Sequence, residues 1–370
     1  MRFLFTTLQD PETEFYGRVG AELSKRGHEI VHVTFSRLAA RTLRRRGFEA
    51  FVLPDAMAAL GDHIDVSAEA ERIEAAYDTP TIRDVYKTDF PGYGKSEEWN
   101  VARTVRHFLA IERILDQVKP DIVVPEVGSE SMRTVTHLVA LQRRITVLFL
   151  FYTIFPNPLR LYVNTLHAPI VDKSELRELE PHEREEVETF MARFIEKNKP
   201  IRDYRDTRLR FPGWDVIRQR TRDTLLDRGN EYKRPGRGFL ERRLERLRGR
   251  AARALYQPLR AGRPFVYFPL HVTDDYKIKR VIPHCVDQAS LIEQIADSLP
   301  HGYDLVLKEH PMSIGRNRLA LLRRLRRIPN ARLVEPHTSS HDLVQRSEAV
   351  AVISSTVGLE ALMHGKGVLT

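Results

Sequence analysis

The chain has 370 residues, which is long for one ordinary domain and suits two domains of moderate size. Its 42% hydrophobic and 29% charged residues suit packed cores under a solvated surface, and no run approaches the roughly 20 apolar residues of a membrane-spanning helix. The single cysteine, Cys285, excludes an internal disulfide framework and is too few for a thiolate zinc site. With no export signal in the first residues, we expect a cytoplasmic protein.

Strand and helix patterns alternate through residues 1–171, at a pitch typical of a parallel sheet with crossover helices. The predicted strands are 2–6, 29–34, 50–53, 121–125 and 145–152. The predicted helices are 15–26, 38–46, 101–118 and 131–142. Residues 60–100 are polar and acidic, then aromatic, and their Pro and Gly residues indicate an irregular loop with short helices.

Residues 172–262 are charged and Arg-rich, and their pattern predicts a helical connector. The alternation then resumes, with predicted strands at 264–270, 304–308, 331–335, 349–353 and 368–370. The predicted helices there are 288–298, 316–327, 340–347 and 356–364. The fold class is therefore α/β, with two Rossmann-like lobes, 1–171 and 263–370, joined by the connector. Because a doubly wound lobe normally buries its last strand under more helix, we expect the C-terminal lobe to be truncated at Thr370.

The net charge of +9 is concentrated in one block. Residues 232–260 contain ten Lys or Arg and two Glu, so the rest of the chain is nearly neutral. Leu240, Leu244 and Leu247 recur there at helical spacing, which is typical of a basic amphipathic helix. Three interpretations stay open: a plain solvated helix, peripheral contact with an anionic membrane, or nucleic acid. Sparse aromatic residues disfavour nucleic acid.

Ligands bind beyond the carboxyl ends of the strands in open α/β sheets, so the residues after each strand are candidates. The run Lys308-Glu309-His310-Pro311 follows the strand at 304–307. Proline restricts the backbone of the residue before it, so His310 is held in a defined position. Such a histidine can donate a hydrogen bond to a phosphate, or protonate one as it leaves. A surface His and Lys in a turn explain the same residues equally well.

A hydroxyl-rich turn, Ser354-Ser355-Thr356, lies between the strand at 349–353 and the next helix. Hydroxyl and free N–H groups at a helix N-terminus form an anion site. Glu360 lies one turn into that helix, where its carboxylate could accept hydrogen bonds from ribose hydroxyls. Ordinary helix capping is the competing interpretation, and the commoner one for this turn alone. Two phosphate-type sites after neighbouring strands favour a nucleotide.

A third position combines His271 with Thr273 and the adjacent Asp274 and Asp275, after the strand at 264–270. Two aspartates can bind a metal ion. Side chains of adjacent residues diverge, however, so we predict no metal site.

An ordered set of short runs spans residues 264–368. The runs are Tyr-Phe-Pro-Leu-His at 267–271, Gln288, Lys-Glu-His-Pro at 308–311, Ser-His-Asp-Leu at 340–343, Ile-Ser-Ser-Thr-Val-Gly-Leu-Glu-Ala-Leu at 353–362, and Gly-Lys at 365–366. In this order they resemble the capsule polysaccharide biosynthesis glycosyltransferases, which include Kdo transferases that use CMP-Kdo. The His-Pro pair and the Ser-rich turn also resemble those of bacterial GT-B sialyltransferases, which use CMP-sialic acid. A looser likeness is to CDP-glycerol glycerophosphotransferases.

The resemblance implies a GT-B-like fold and a metal-independent glycosyltransferase without a cofactor. Its donor substrate would be a CMP-activated sugar, and its acceptor a surface polysaccharide or lipid-linked glycan. His310 would contact the donor phosphate and help CMP leave, while Glu360 would face the ribose. The other residues of the predicted nucleotide site are Lys308, Pro311, His271, Ser354, Ser355 and Thr356. The alternatives are a CDP-alcohol phosphotransferase, a UDP-sugar transferase or epimerase, and a non-catalytic scaffold of a polysaccharide assembly complex.

A sugar transferase also needs a base or nucleophile, usually a carboxylate, near the reacting carbon. Glu126 follows the strand at 121–125 at the correct end and is our predicted catalytic residue. Asp10 and Glu12 are alternatives of similar weight, and Glu130 is a poorer one. A solvated loop carboxylate is the competing interpretation of Glu126. We assign structural or surface roles to four histidines: His28, His32, His107 and His137.

Overall fold

The computed structural model of the chain contains two compact units. Unit 1 comprises Met1–Pro169 and Pro212–Pro235, and unit 2 comprises Ile170–Phe211 and Gly236–Thr370. The structure describes residues 1–8, 10–79, 81–155, 159–168, 172–197, 213–227, 230–232, 235–272 and 275–370.

The β-strands belong to two separate sheets. They are β1 (Arg2–Thr7), β2 (Glu29–Thr34), β3 (Glu49–Val52), β4 (Ile122–Pro125), β5 (Thr146–Tyr152), β6 (Leu159–Val163), β7 (Phe265–Pro269), β8 (Asp304–Lys308), β9 (Ala331–Val334), β10 (Ala349–Ala351) and β11 (Gly367–Leu369).

The α-helices connect the strands or lie between the two sheets in the chain. They are α1 (Asp10–Lys25), α2 (Arg37–Arg45), α3 (Leu53–Ala58), α4 (Val66–Ala76), α5 (Ile82–Tyr86), α6 (Glu97–Val118), α7 (Ser131–Gln142), α8 (Pro181–Lys197), α9 (Trp214–Leu226), α10 (Pro235–Ala252), α11 (Gln288–Ser298), α12 (Leu319–Arg327), α13 (Ser340–Arg346) and α14 (Thr356–Met363). Among the helices that the structure describes, none combines the length and the apolar character needed to cross a membrane.

The sheet of unit 1 has the strand order β3-β2-β1-β4-β5-β6. Strands β1 to β5 are parallel, and β6 pairs antiparallel with β5. Leu4 and Val123 are buried in the larger core, which includes Phe108 of α6. Phe5 packs on the opposite face with Tyr16 of α1. Because successive side chains of a strand point to opposite faces, both faces of this sheet are covered.

The sheet of unit 2 has the order β11-β10-β7-β8-β9, and all its strands are parallel. Leu305 and Leu307 of β8 belong to the core that contains residues of α11 and α12. Val306 belongs to the core that contains Leu343 of α13 and Ala361 of α14. Helices therefore cover both faces of the sheet, as in a doubly wound fold. The predicted α/β class with two Rossmann-like lobes is confirmed.

Predicted element boundaries differ from the observed ones in two places that matter. Helix α1 begins at Asp10, five residues earlier than predicted, with Pro11 in the first turn, where proline is tolerated. Strand β6 was absent from the prediction; its apolar residues Leu159, Leu161 and Val163 are exposed, so no buried strand pattern marks it.

The predicted connector, 172–262, is helical where the structure describes it, through α8, α9 and α10. Its packing is divided between the two units, because Pro212–Pro235 belongs to unit 1 and the remainder to unit 2. The predicted three-part boundaries stay a prediction.

Candidate nucleotide site

A cavity of about 550 Å³ opens at the carboxyl ends of β7, β8 and β10 in unit 2, within the size range of small-ligand pockets. Strands β7 and β10 are neighbours although the chain order reverses between them. The cavity therefore lies at the topological switch point, where open α/β sheets bind ligands. It is lined by all eight residues of the predicted nucleotide site: His271, Lys308, His310, Pro311, Ser354, Ser355, Thr356 and Glu360.

His271 connects the ends of the two strands at the switch point. Its backbone N–H donates to Gln288 Oε1 at 2.9 Å, and Gln288 Nε2 donates to its carbonyl at 3.3 Å. Its ring Nε2 accepts from the backbone N–H groups of Ile353 and Ser354 at 3.3 and 3.4 Å. Burial lowers the pKa of His271 to about 4, so the ring is neutral and carries its proton on Nδ1. His271 thus fixes the hydroxyl-rich turn and can offer a ligand only its Nδ1–H.

Lys308 is the last residue of β8, and its side chain is buried. The residue is 7% exposed, and its Nζ donates to the Thr338 carbonyl at 3.2 Å. Burial lowers the pKa of Lys308 to about 8, although the nearby Glu360 carboxylate opposes this shift. An ammonium group with one backbone partner in a desolvated cavity is well placed to attract a phosphate.

Glu309 is a buried support for this turn, a role that we did not predict from the sequence. Its carboxylate accepts from the Tyr256 hydroxyl at 2.5 Å and from Asn317 Nδ2 at 2.7 Å. Burial raises the pKa of Glu309, and the two donors act in the opposite direction. The partners lie 53 and eight residues away in the chain, so only the folded structure reveals the cluster.

His310 presents one defined ring nitrogen to the cavity. It caps the 3₁₀ turn Pro311–Ser313, because its Nδ1 accepts from the Met312 backbone N–H at 3.1 Å. The ring proton therefore resides on Nε2. Burial, and then the charge of Lys308, lower the pKa of His310, so the ring is neutral. The Nε2–H group is a ready hydrogen-bond donor for an anion.

Neighbouring residues of the hydroxyl-rich turn have different roles. Ser355 is the N-cap of α14, since its Oγ accepts from the Val357 backbone N–H at 3.2 Å. Ser354 Oγ is buried and has no hydrogen-bond partner among the described residues. The capping interpretation is thus correct for Ser355, while Ser354 is available for a ligand.

Glu360 lies on the cavity side of α14 between two basic residues. Burial raises its pKa, and the charge of Lys308 lowers it. Its Oε2 lies 3.7 Å from His341 Nε2, and His341 Nδ1 lies 3.4 Å from His364 Nε2. His341 also lines the cavity, a role that we did not predict, although its place in the first turn of α13, the helix that follows β9, was a usable signal.

The third predicted position is only partly described. Thr273 and Asp274 lie outside the described residues, whereas Asp275 lines the cavity and accepts from the Lys277 backbone N–H at 2.9 Å. Within the described ranges, no three His, Cys, Asp or Glu side chains converge as metal ligands. Metal independence stays a prediction.

Glu126, the predicted catalytic carboxylate, lies in unit 1 at the carboxyl end of β4. It is half-buried, and burial raises its pKa. A hydrogen bond from Tyr16 and the charge of Arg133 oppose this shift but do not cancel it. The alternatives Glu12 and Glu130 form ion pairs with Arg133 at 2.7 and 2.9 Å. Glu126 is thus the carboxylate of this cluster that accepts from a phenol instead of forming a close ion pair. The side chain of Asp10 lies outside the described residues.

A buried polar network elsewhere in unit 1 has the elements of a nucleophile–base pair. Ser131 Oγ lies 2.8 Å from His107 Nδ1 and also donates to Asp89 Oδ2 at 2.7 Å. Asp89 accepts further from Arg103 at 2.9 Å and from the Tyr232 hydroxyl at 2.9 Å. Ser131 and His107 are both fully buried, and burial lowers the pKa of His107. The network therefore holds residues 230–232 to unit 1 and is structural, as we predicted for His107.

Residues 177–370, more than half of the chain, match the family described as capsule polysaccharide biosynthesis protein. The chain belongs to this family. The match contains every residue that lines the cavity and leaves out most of unit 1. The predicted family is confirmed.

Other similar proteins match more weakly. Protein FixF of Sinorhizobium fredii (strain NBRC 101917 / NGR234) is 25% identical over 148 residues, which are 39% of this chain and 36% of FixF. The matched part is thus about a third of the length of that relative. The β-Kdo 2,7 transferase KpsC of Thermosulfurimonas dismutans shares 16% identity over 74% of this chain and 75% of KpsC, with a TM-score of 0.32. A UDP-GlcNAc 2-epimerase of Neisseria meningitidis shares 12% identity over 100% of this chain and 81% of the epimerase, with a TM-score of 0.26. At these TM-scores neither likeness supports a conclusion about this chain.

Proposed function

We propose that the chain is a glycosyltransferase that moves a sugar from a CMP-activated donor to a surface polysaccharide or lipid-linked glycan, in the cytoplasm. The convergence of His310, Lys308 and the hydroxyl of Ser354 on one cavity at the switch point carries this proposal. Membership of the capsule polysaccharide family supports the polysaccharide product. The choice of cytidine rests on the resemblance of the His-Pro and Ser-rich runs to those of transferases that use CMP-sugars.

The proposed reaction breaks the bond between the sugar and the donor phosphate, and the electron pair stays on the phosphate oxygen. His310 Nε2–H and the Ser354 hydroxyl would donate to that oxygen, and the charge of Lys308 would stabilise it. Because His310 is neutral, it would act as a hydrogen-bond donor. CMP would leave as the dianion, stabilised by the Nε2–H hydrogen bond of His310 and by the charge of Lys308, and no proton would leave His310.

The acceptor hydroxyl must lose a proton as it attacks the sugar carbon. We assign this step to Glu126, because its pKa is raised and its hydrogen bonds come from neutral donors, the Tyr16 hydroxyl and the Val127 backbone N–H, whereas Glu12 and Glu130 are ion-paired with Arg133.

Titration calorimetry with CMP and UMP tests the donor site. We expect tighter binding of CMP than of UMP, and a loss of roughly 10- to 100-fold in CMP affinity for His310→Ala, since a hydrogen bond to a charged group contributes about 1.5–3 kcal/mol. His301→Ala is the matched control, because His301 is exposed in the same unit and does not line the cavity. Tighter binding of UMP than of CMP would indicate a uridine-activated donor instead of a cytidine-activated one. The absence of binding by the folded chain would refute a nucleotide site here.

A further inference from the structure

Helix α10 presents a stripe of leucines to solvent. Leu240, Leu244 and Leu247 are 61%, 44% and 59% exposed, and their spacing of four and three residues places them on one face. The opposite face is packed on unit 2, where Gly249 lies against Ile314 and Gly315. The stripe is therefore neither part of the core nor an isolated apolar residue on a polar helix.

Arginines flank this leucine stripe on both sides. At 100° per residue, Arg243 and Arg250 lie along one edge of the stripe, and Arg248 lies along the other beside Glu241. Residues 240–253 contain six arginines and two glutamates. An apolar stripe with an excess of basic side chains along its edges is typical of a helix that lies in a membrane interface, with its axis parallel to the surface.

We propose that α10 docks the chain on an anionic lipid surface. The leucine stripe would enter the boundary between headgroups and acyl chains, and the flanking arginines would contact lipid phosphates. Of the three interpretations that the sequence left open, a plain solvated helix does not explain why leucines occupy its outward face. This proposal does not depend on the nucleotide site, because none of the residues that carry it lines the cavity.

A second copy of the chain fits the same stripe less well. The leucine spacing suits a coiled-coil seam, but Leu240, Leu244 and Leu247 span only about one heptad, whereas such seams are sustained over three or four. Positions beside the seam would be occupied by Arg243, Arg248 and Arg250 in both copies, and like charges there disfavour pairing. The same arginines favour an anionic surface.

Vesicle co-sedimentation of the full chain tests the proposal. The vesicles are pure phosphatidylcholine, or equal parts of phosphatidylcholine and phosphatidylglycerol. We expect binding to the anionic vesicles only, weakened by salt because the charges are screened. Replacing Arg243, Arg248 and Arg250 together by Gln should weaken binding on the order of a hundredfold, at about fivefold for each arginine.

The leucine stripe is tested separately. The triple variant Leu240→Gln, Leu244→Gln, Leu247→Gln should lose at least about tenfold in vesicle binding, since its apolar face can no longer insert. Leu225→Gln is the matched control, because Leu225 is 59% exposed on α9 in unit 1. Thermal unfolding of each variant confirms that it is folded. Equal binding to neutral vesicles, or anionic binding that neither triple variant weakens, would overturn the proposal. If the wild-type chain is a dimer and the leucine variant is a monomer, the stripe binds a second copy of the chain instead.

Discussion

The charge of Lys308 should make nucleotide binding depend on pH in a window where the nucleotide itself does not titrate. Burial lowers the pKa of Lys308 to about 8. The phosphate of CMP loses its second proton near about pH 6, so it is a dianion above about pH 7. A bound dianion favours the charged lysine and raises its pKa.

The direction of the effect follows from these two states. Below the pKa that Lys308 has in the free protein, Lys308 is charged before and after binding, and the affinity for CMP is constant. As pH rises through about 8, the free protein loses this proton while the complex keeps it, so affinity falls. From about pH 7 to about pH 9 the expected loss is about tenfold, or about 1.4 kcal/mol, provided that the pKa in the complex exceeds 9.

Titration calorimetry of CMP across this pH range, with two variants, measures the effect. Lys308→Met should bind weakly with little pH dependence, since it has no charge to lose. Lys308→Arg keeps its charge throughout, so it should lose the pH dependence while retaining affinity where its longer side chain fits. His310 and His271 do not titrate in this window, because burial lowers both of their pKa values. If Lys308→Met shows the same decline in CMP affinity as the wild type, the phosphate does not contact Lys308 and the reasoning fails.

Two further predictions concern unit 1. Burial lowers the pKa of His32 to about 4. Between about pH 6.5 and about pH 4, the unfolded chain therefore binds a proton that the folded chain does not. The free energy of unfolding consequently falls as the pH falls. From about pH 7 to about pH 5 this costs about 2 kcal/mol, which His32→Phe should abolish. Denaturant unfolding followed by tryptophan fluorescence checks this, because both tryptophans belong to unit 1; an unchanged pH slope would contradict it. Glu126→Gln should slow CMP release from the donor sugar by about 10²- to 10⁴-fold and leave CMP affinity unchanged; unaltered turnover would exclude Glu126 as the base.

The strands of both units could be predicted because burial on two faces leaves near-continuous apolar runs. The candidate site followed from this, since polar residues directly after such runs must lie at one edge of the sheet. Lys308, His310 and Ser354 were found in this way. Strand β6 was missed for the opposite reason: its apolar residues alternate with polar ones and remain exposed on an edge.

Tertiary partners of the site residues could not be predicted, because they are distant in the chain. His271 was expected to bind the nucleotide, yet its Nε2 accepts from backbone groups 82 and 83 residues later. Glu309 was part of a predicted motif, but its contact with Tyr256 makes it a support of the turn. Local sequence determines which groups follow a strand, whereas packing determines which of their atoms stay available.

The electrostatics of the cavity follow from one cause that acts on several residues. Burial lowers the pKa values of His271, His310, His341 and Lys308, so each is shifted toward its neutral form. Neutral histidines avoid the cost of burying unpaired cations, whereas Lys308, with a pKa of about 8, is still mostly charged near pH 7. A bound phosphate raises the pKa of Lys308 and keeps it charged at higher pH. His271 and His310 each already use one ring nitrogen to accept from backbone N–H groups, so neither can gain a proton without losing those contacts. The group whose charge responds to the phosphate is therefore Lys308, while His310 contributes its Nε2–H. For this reason we expect the turn after β8 and its buried support, Glu309, to matter most for nucleotide binding.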